Sequence, residues 1–244
     1  MRSKHAIVTG GNRGIGRAIA GALSERGIAV SVLSRSPLAP EDAQRFFHVA
    51  CDVAHPDQIA SAFAAARAIN GPVAILINNA GVAASAPFHR TSQELWDRII
   101  ATNLTGAFAC TRAAIDDMLA AKWGRIVNIA STAGLDGAAY ISAYCASKHG
   151  VVGFTRAIAA EYAGTGITAN AICPGYVETD MMDQAIQSIV KHTGMTPEAA
   201  REQLAQSNPQ GRIVRVDEVA AAAIDYCQSE ATGQALILPG GERA

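Results

Sequence analysis

Little in this chain marks it for a membrane, a nucleic acid or a metal. Twenty lysines and arginines stand against 21 aspartates and glutamates, a net charge of −1 with the basic residues scattered. That balance argues against nucleic acid or an anionic membrane surface as a partner. No apolar run reaches the roughly 18 residues that a bilayer span needs. The first strand-like run begins almost at once, so no signal peptide is expected and the expected location is cytoplasmic. The five cysteines (Cys51, Cys110, Cys145, Cys173, Cys227) are odd in number and never form Cys-x-x-Cys, and the six histidines contain no His-Glu-x-x-His. No metal site is expected, and the cysteines read as reduced, small core residues. His149, beside Lys148, reads as packing. No linker, repeat or low-complexity stretch divides the 244 residues. One domain over residues 1–244, with alternating strands and helices, is the expectation.

What is present begins at the N-terminus. Residues 4–9 read as a short apolar strand and Arg17 to Arg26 as an amphipathic helix. Between them lies Gly10-Gly11-Asn12-Arg13-Gly14-Ile15-Gly16. Glycines let the chain turn tightly and let a ligand approach the backbone, and a helix start offers free N–H groups to a phosphate. The glycine spacing departs from G-x-G-x-x-G, but strand, glycine turn and helix in succession favour a nucleotide site. A second strand, Ala29 to Leu33, ends in Ser34-Arg35. An acidic residue near that place would bond a ribose 2′-hydroxyl. Serine followed by arginine, with Arg13 in reach, instead favours a 2′-phosphate, hence NADP(H) over NAD(H). A third strand is expected over Phe46–Val53, ending in Asp52 and Val53, where Asp52 is placed to accept from an adenine amino group.

The middle of the chain carries the chemistry. Val73 to Ile77 suits a strand buried on both faces and runs into Asn78-Asn79-Ala80-Gly81, small and amide residues that fit the edge of a cofactor cleft. A helix is expected from Ser92 to about Cys110, with Asn103 inside it. A strand from Arg125 to Ala130 delivers Ser131. Tyr144 and Lys148 stand four apart, on one face of a helix. A cation held beside a phenol favours the phenolate, so the Tyr144 pKa is expected below its usual value of about 10. Such a tyrosine exchanges protons with a substrate oxygen.

Taken together, the Thr9–Gly16 loop, Asp52, Asn78–Gly81, Asn103, Ser131, the Tyr144/Lys148 pair and Pro174-Gly175 with Thr179 resemble the short-chain dehydrogenase/reductase family across residues 4–241. The resemblance implies a Rossmann-like, doubly wound parallel sheet of about seven strands and assembly into tetramers or dimers through the faces of Ala107–Leu119 and Tyr144–Tyr162. It implies catalytic roles for four residues. Tyr144 is the general acid or base, Lys148 lowers its pKa and bonds the cofactor ribose, Ser131 binds the substrate carbonyl, and Asn103 holds a water in a proton relay. It places Gly10, Asn12, Arg13, Gly14, Ile15, Gly16, Ser34, Arg35, Asp52, Val53, Asn79, Ala80, Gly81, Tyr144, Lys148, Pro174, Gly175, Val177 and Thr179 against the nicotinamide cofactor, and needs no metal.

Two segments depart from the family pattern. Residues 36–45 hold two prolines and leave room for about one turn where relatives carry a helix. Pro239 stands before Gly240-Gly241 where many relatives have Asp. After a sixth strand (Ile167 to Ile172), residues 180–211 read as two helices forming a substrate lid. Thr196-Pro197 starts the second helix, Gly194 and residues 206–211 are hinges, and Met181, Met182 and Met195 line it. The lid and Pro209-Gln210-Gly211-Arg212 resemble 3-oxoacyl-thioester reductases and polyketide ketoreductases. Lys122 matches one basic position at the site mouth of carrier-protein reductases, whereas Thr165 replaces the other. The expected substrate is a 3-oxoacyl or 3-hydroxyacyl thioester, with coenzyme A as the carrier as readily as a protein. The alternatives are a free secondary alcohol, diol, sugar or hydroxysteroid and, remotely, a non-catalytic nucleotide sensor.

Overall fold

The computed structural model describes residues 4–238. Its elements alternate along the chain: β1 (His5–Thr9), α1 (Gly14–Ser24), β2 (Ala29–Ser34), β3 (Phe47–Ala50), α2 (Pro56–Asn70), β4 (Val73–Asn78), α3 (Gln93–Ile100), α4 (Gly106–Ala121), β5 (Gly124–Ile129), α5 (Ser142–Glu161), β6 (Ile167–Pro174), α6 (Asp180–Thr193), α7 (Pro197–Gln206), α8 (Val216–Gln228) and β7 (Ala235–Leu238). The seven strands form one parallel sheet in the order β3-β2-β1-β4-β5-β6-β7. The chain reverses its direction of travel across the sheet between β1 and β4. In open α/β sheets ligands bind at the carboxyl ends of the strands flanking such a reversal.

The sheet is apolar on both faces because helices cover both. Ala6, Val8, Ile75 and Ile77 face α1 and α8, whereas Ile7 and Leu76 face α2 and α4. Period-two alternation within continuous apolar runs sends successive side chains into two separate cores. Burying each such side chain stabilises the fold by roughly 1.5–3 kcal/mol.

Three expected boundaries change. The third strand ends at Ala50, not Val53, because the Asp52 carboxylate accepts from the Ala54 N–H at 3.0 Å and turns the chain into α2, where Pro56 takes a first-turn position. The helix that starts after Ser92 does not run evenly to Cys110. Ser92 caps α3 through the Leu95 N–H, a π turn over Ala101–Thr105 follows, and α4 continues to Ala121. β6 extends two residues further than expected, to Pro174.

The short crossover after β2 forms two successive hydrogen-bonded turns, Ala39–Ala43 and Asp42–Phe46, where room for about one was expected. Phe46 and Leu38 pack into the core there. Arg17 on α1 reaches across to Glu41 at 2.8 Å and to the buried Asp42. Pro239 and the two glycines after it lie outside the described residues.

At the amino-terminal edge His5 is buried. Its Nδ1 donates to the Gly71 carbonyl at 2.7 Å, which leaves Nε2 to accept from the Ser31 hydroxyl at 2.8 Å. Burial holds the imidazole below its ordinary pKa of about 6.5. The unfolded chain then takes up this proton first as pH falls. The His5 contribution to stability is complete above pH about 6.5 and is lost as pH falls through that value towards the folded pKa. The urea midpoint is therefore expected to decline between pH 7.5 and 5.5, and His5→Gln is expected to flatten that decline.

Candidate active site

The glycine turn and the Asn79–Gly81 segment meet at the reversal point between β1 and β4. Thr9 ends β1, and its hydroxyl oxygen accepts from the N–H groups of Asn79 and Ala80, both at 3.0 Å. The Asn79 amide answers by donating to the Thr9 and Gly10 carbonyls at 2.9 and 3.1 Å. Gly10 and Gly14 have φ of +64° and +51°, which glycine adopts without cost. A side chain on Gly16 would strike the Gly10 carbonyl and the Asn79 amide. The first turn of α1 has no side-chain cap, so its N–H groups and positive dipole end face outward for an anion. This backbone cradle fits the diphosphate of a dinucleotide.

The remaining candidate cofactor residues are placed as follows. Asn12 and Ile15 lie within the glycine turn, half-buried. Ser34 is buried, and its hydroxyl donates to the Ser36 carbonyl at 2.7 Å and meets His48 Nε2 at 3.0 Å. The hydroxyl is thus turned into the protein, not towards a ribose. Arg35 extends into solvent, 66% exposed, with Asp52 3.9 Å away. Arg13 is held by Asp180 at 2.8 Å. Each arginine thus meets a carboxylate supplied from another part of the chain. Both pairs are exposed, where an ion pair contributes about 0–1 kcal/mol and exchanges readily. Val53 packs in the core beneath this corner.

Lys148 is buried, and its Nζ donates to the Ile129 carbonyl at 2.8 Å. A side chain on Gly81 would lie 3.4 Å from Asn103 Oδ1 and 3.7 Å from Lys148 Nζ, so the three residues converge. The Asn103 side chain accepts from the Val82 N–H at 2.8 Å and donates to the Val82 carbonyl at 2.9 Å and to Ser147 Oγ at 3.0 Å. Ser147 in turn donates to the Tyr144 carbonyl. The Asn103 amide is thereby committed to fastening the segment after Gly81 against α5. The π turn around it is the kind of irregularity that recurs at functional sites.

Tyr144 and Ser131 are neighbours at this edge. The expected fall in the Tyr144 pKa is not what the structure shows. Burial pushes the phenol up to about 12, against the opposing pull of the nearby Ser131 hydroxyl. Lys148 Nζ stands 5.6 Å from the centre of the phenol ring. Burial also pushes the Lys148 ammonium down to about 8. Helical spacing brings the two together, but desolvation outweighs their proximity.

After β6, a side chain on Gly175 would strike Asn208 Oδ1. Asn208 is buried, accepts from the Tyr176 N–H, and donates to the Tyr176 and Arg212 carbonyls. Residues 206–211, expected to act as a hinge, are thus pinned at Asn208. Pro174 closes β6, Val177 bridges to Val214, and Thr179 lies against Gly14. Met182 is core, whereas Met181 and Met195 are exposed. Lys122 and Thr165 precede the amino ends of β5 and β6, at the edge opposite Ser131 and Tyr144. They do not flank the site within one chain. Thr9, Ser147 and Asn208 were not foreseen as site residues. A polar residue closing an apolar strand, and a serine three places after Tyr144, were the available signals for the first two.

Comparison with known proteins agrees with this geometry. Residues 4–189 match the family model described as short chain dehydrogenase. The chain is 39% identical to the D-beta-hydroxybutyrate dehydrogenase of Cupriavidus necator, over 96% of this chain and 94% of that one. It is 42% identical to the 3-oxoacyl-acyl-carrier-protein reductase MabA of Mycobacterium tuberculosis, over 76% and 75%. A variant of the actinorhodin polyketide ketoreductase, solved with NADPH, superimposes with a TM-score of 0.90 at 38% identity, covering 98% of this chain and 97% of that one.

Gly16→Ala places a methyl group against the Gly10 carbonyl. It is expected to weaken nicotinamide-cofactor binding at least about tenfold, measured by quenching of intrinsic fluorescence, with the circular dichroism spectrum unchanged.

Proposed function

The chain belongs to the short-chain dehydrogenase family, and from that premise we propose that it is an NADP(H)-dependent reductase of 3-oxoacyl thioesters, forming 3-hydroxyacyl thioesters and running in reverse as a dehydrogenase. Interconversion of a ketone and an alcohol is common ground among its named relatives. The observation that carries the reading is the convergence of Ser131, Tyr144 and Lys148 at the carboxyl edge of the sheet.

In this reading Gly10 to Gly16 hold the cofactor diphosphate, Asp52 and Val53 the adenine, and Asn79, Ala80 and Gly81 the inner edge. Pro174, Gly175, Val177 and Thr179 hold the nicotinamide end. Bound there, the nicotinamide group supplies or accepts the hydride. The Ser131 hydroxyl donates to the substrate carbonyl oxygen and stabilises charge as it develops there. Tyr144 Oη gives that oxygen its proton in reduction and takes it back in oxidation, a transfer worth about 10² to 10⁴ in rate. The raised pKa makes the phenol a weaker acid than a free tyrosine, so proton donation to the substrate oxygen depends on the positive charge beside it. Lys148 supplies positive charge beneath the phenol, and Asn103 keeps the cleft wall next to Lys148 in register.

The exposure of Arg35, whose pair with Asp52 is long at 3.9 Å, and the absence of a carboxylate at Ser34 support NADP(H). Residues 180–211 act as the substrate lid, rooted at Asn208. Phe108 and Leu119 on α4 are exposed large apolar residues, and the Phe108 ring meets Phe154 of α5 edge-on at 6.3 Å. These two helix faces pair between copies in a dimer or tetramer. A second reading, oxidation of a free 3-hydroxy acid, rests on the likeness to D-beta-hydroxybutyrate dehydrogenase. Parallel assays of acetoacetyl-CoA and acetoacetate with both cofactors test the choice. Turnover of the thioester with NADPH supports the proposal, and exclusive turnover of the free acid removes it.

Tyr144→Phe is expected to lower kcat by about 10² or more while NADPH affinity stays within about twofold. Retained turnover would take the proton transfer away from Tyr144. Arg35→Asp is expected to lower the NADPH-over-NADH ratio of kcat/KM by about 10- to 100-fold, the worth of a charge-assisted hydrogen bond. An unchanged ratio would remove Arg35 from the cofactor site.

A further inference from the structure

Among the described residues nine large apolar or aromatic side chains are exposed, and four of them leave one edge of the sheet. Phe88 (80% exposed) follows β4, Tyr140 (66% exposed) follows β5, and Tyr176 and Met181 follow β6. All leave the carboxyl edge that carries Ser131 and Tyr144. Tyr140 has φ +67°; among the described residues only Lys122 shares a positive φ without being glycine. Lys122 ends a helix, a common use of that conformation. Tyr140 has no such excuse. Its carbonyl accepts from the Ala86 N–H at 2.8 Å, which ties the loop carrying Phe88 to the loop carrying Tyr140. The tie holds the backbone in a strained region and leaves the ring in solvent. Strain that is kept at the lip of a cleft marks a side chain whose direction matters. Tyr176 is near enough to Tyr144 that charge on one opposes charge on the other. Two cations along this edge are engaged, Arg13 by Asp180 and Arg201 by Glu178, both at 2.8 Å, whereas Arg90 is exposed in the same turn as Phe88.

We infer that Phe88, Tyr140 and Tyr176 form an aromatic collar that selects a flat, aromatic acyl group beyond the reacting ketone, with Tyr140 the specificity-determining residue. The inference rests on the 3-oxoacyl reductase reading and names its substrate class. Aromatic rings present faces and edges to one another in preferred geometries that a straight chain does not reproduce.

The test compares N-acetylcysteamine thioesters of 3-oxo-3-phenylpropionate, 3-oxooctanoate and acetoacetate with NADPH, using the full chain. The kcat/KM ratio of the aryl thioester over the acetoacetyl one is expected above about ten, the scale of discrimination an apolar pocket achieves. Tyr140→Gly relaxes the backbone while removing the ring. It is expected to lower that ratio about tenfold without lowering the melting temperature, and Tyr140→Phe is expected to keep it. A ratio near one, a preference for the 3-oxooctanoyl thioester, or a ratio untouched by Tyr140→Gly overturns the inference. If no thioester turns over, the underlying reading fails instead. The ratio for propiophenone over butanone then decides the collar by the same outcomes.

Discussion

A lysine ammonium buried at the carboxyl edge of the sheet is the constraint around which the site is built. Lys148 loses most of its hydration and recovers one carbonyl partner, Ile129. Burial at this depth disfavours the charged form and brings the ammonium down to about 8. The same dry surroundings raise the Tyr144 phenol to about 12. The two groups therefore converge from opposite sides on a state in which the phenol keeps its proton and the ammonium is within reach of losing its own. In that resting state the proton stays on Tyr144, and the Ser131 hydroxyl stands beside it.

Such a cluster needs walls that do not drift, and asparagines supply them. Asn79 fastens the end of β4 to the glycine turn, Asn103 fastens the next segment to α5, and Asn208 fastens the segment after β6. Beneath them Asn78 donates to Asn128, which donates to Thr155, joining β4, β5 and α5 through the core. An amide both donates and accepts, so one side chain satisfies two strangers in the sequence at once. The bonds of Asn79, Asn103 and Asn208 sit at the edge where loops converge, and each restricts a loop that faces the cleft.

The order of elements and the principal site residues were legible because they rest on local pattern. Alternation within apolar runs gave the strands, glycine spacing gave the turn, and a four-residue interval gave the Tyr144/Lys148 face. Other features were hidden because they depend on partners far along the chain. Nothing near Arg13 announces Asp180, and nothing near Gly175 announces Asn208. The π turn at Ala101–Thr105 leaves no mark that separates it from ordinary helix. The direction of the Tyr144 shift was misjudged for a related reason. Spacing reports who is adjacent, whereas the size of the desolvation penalty depends on how much protein closes over both groups. The short crossover after β2 could be read from its two prolines, but not the use of Phe46 to fill the space.

The most direct test is the titration of the Lys148 side chain in the cofactor-free protein, followed by nitrogen NMR of Nζ and assigned with Lys148→Met. The account predicts a midpoint near 8. A midpoint close to the ordinary lysine value of about 10.4 would show that the ammonium is not desolvated, and would contradict the electrostatic basis of the site.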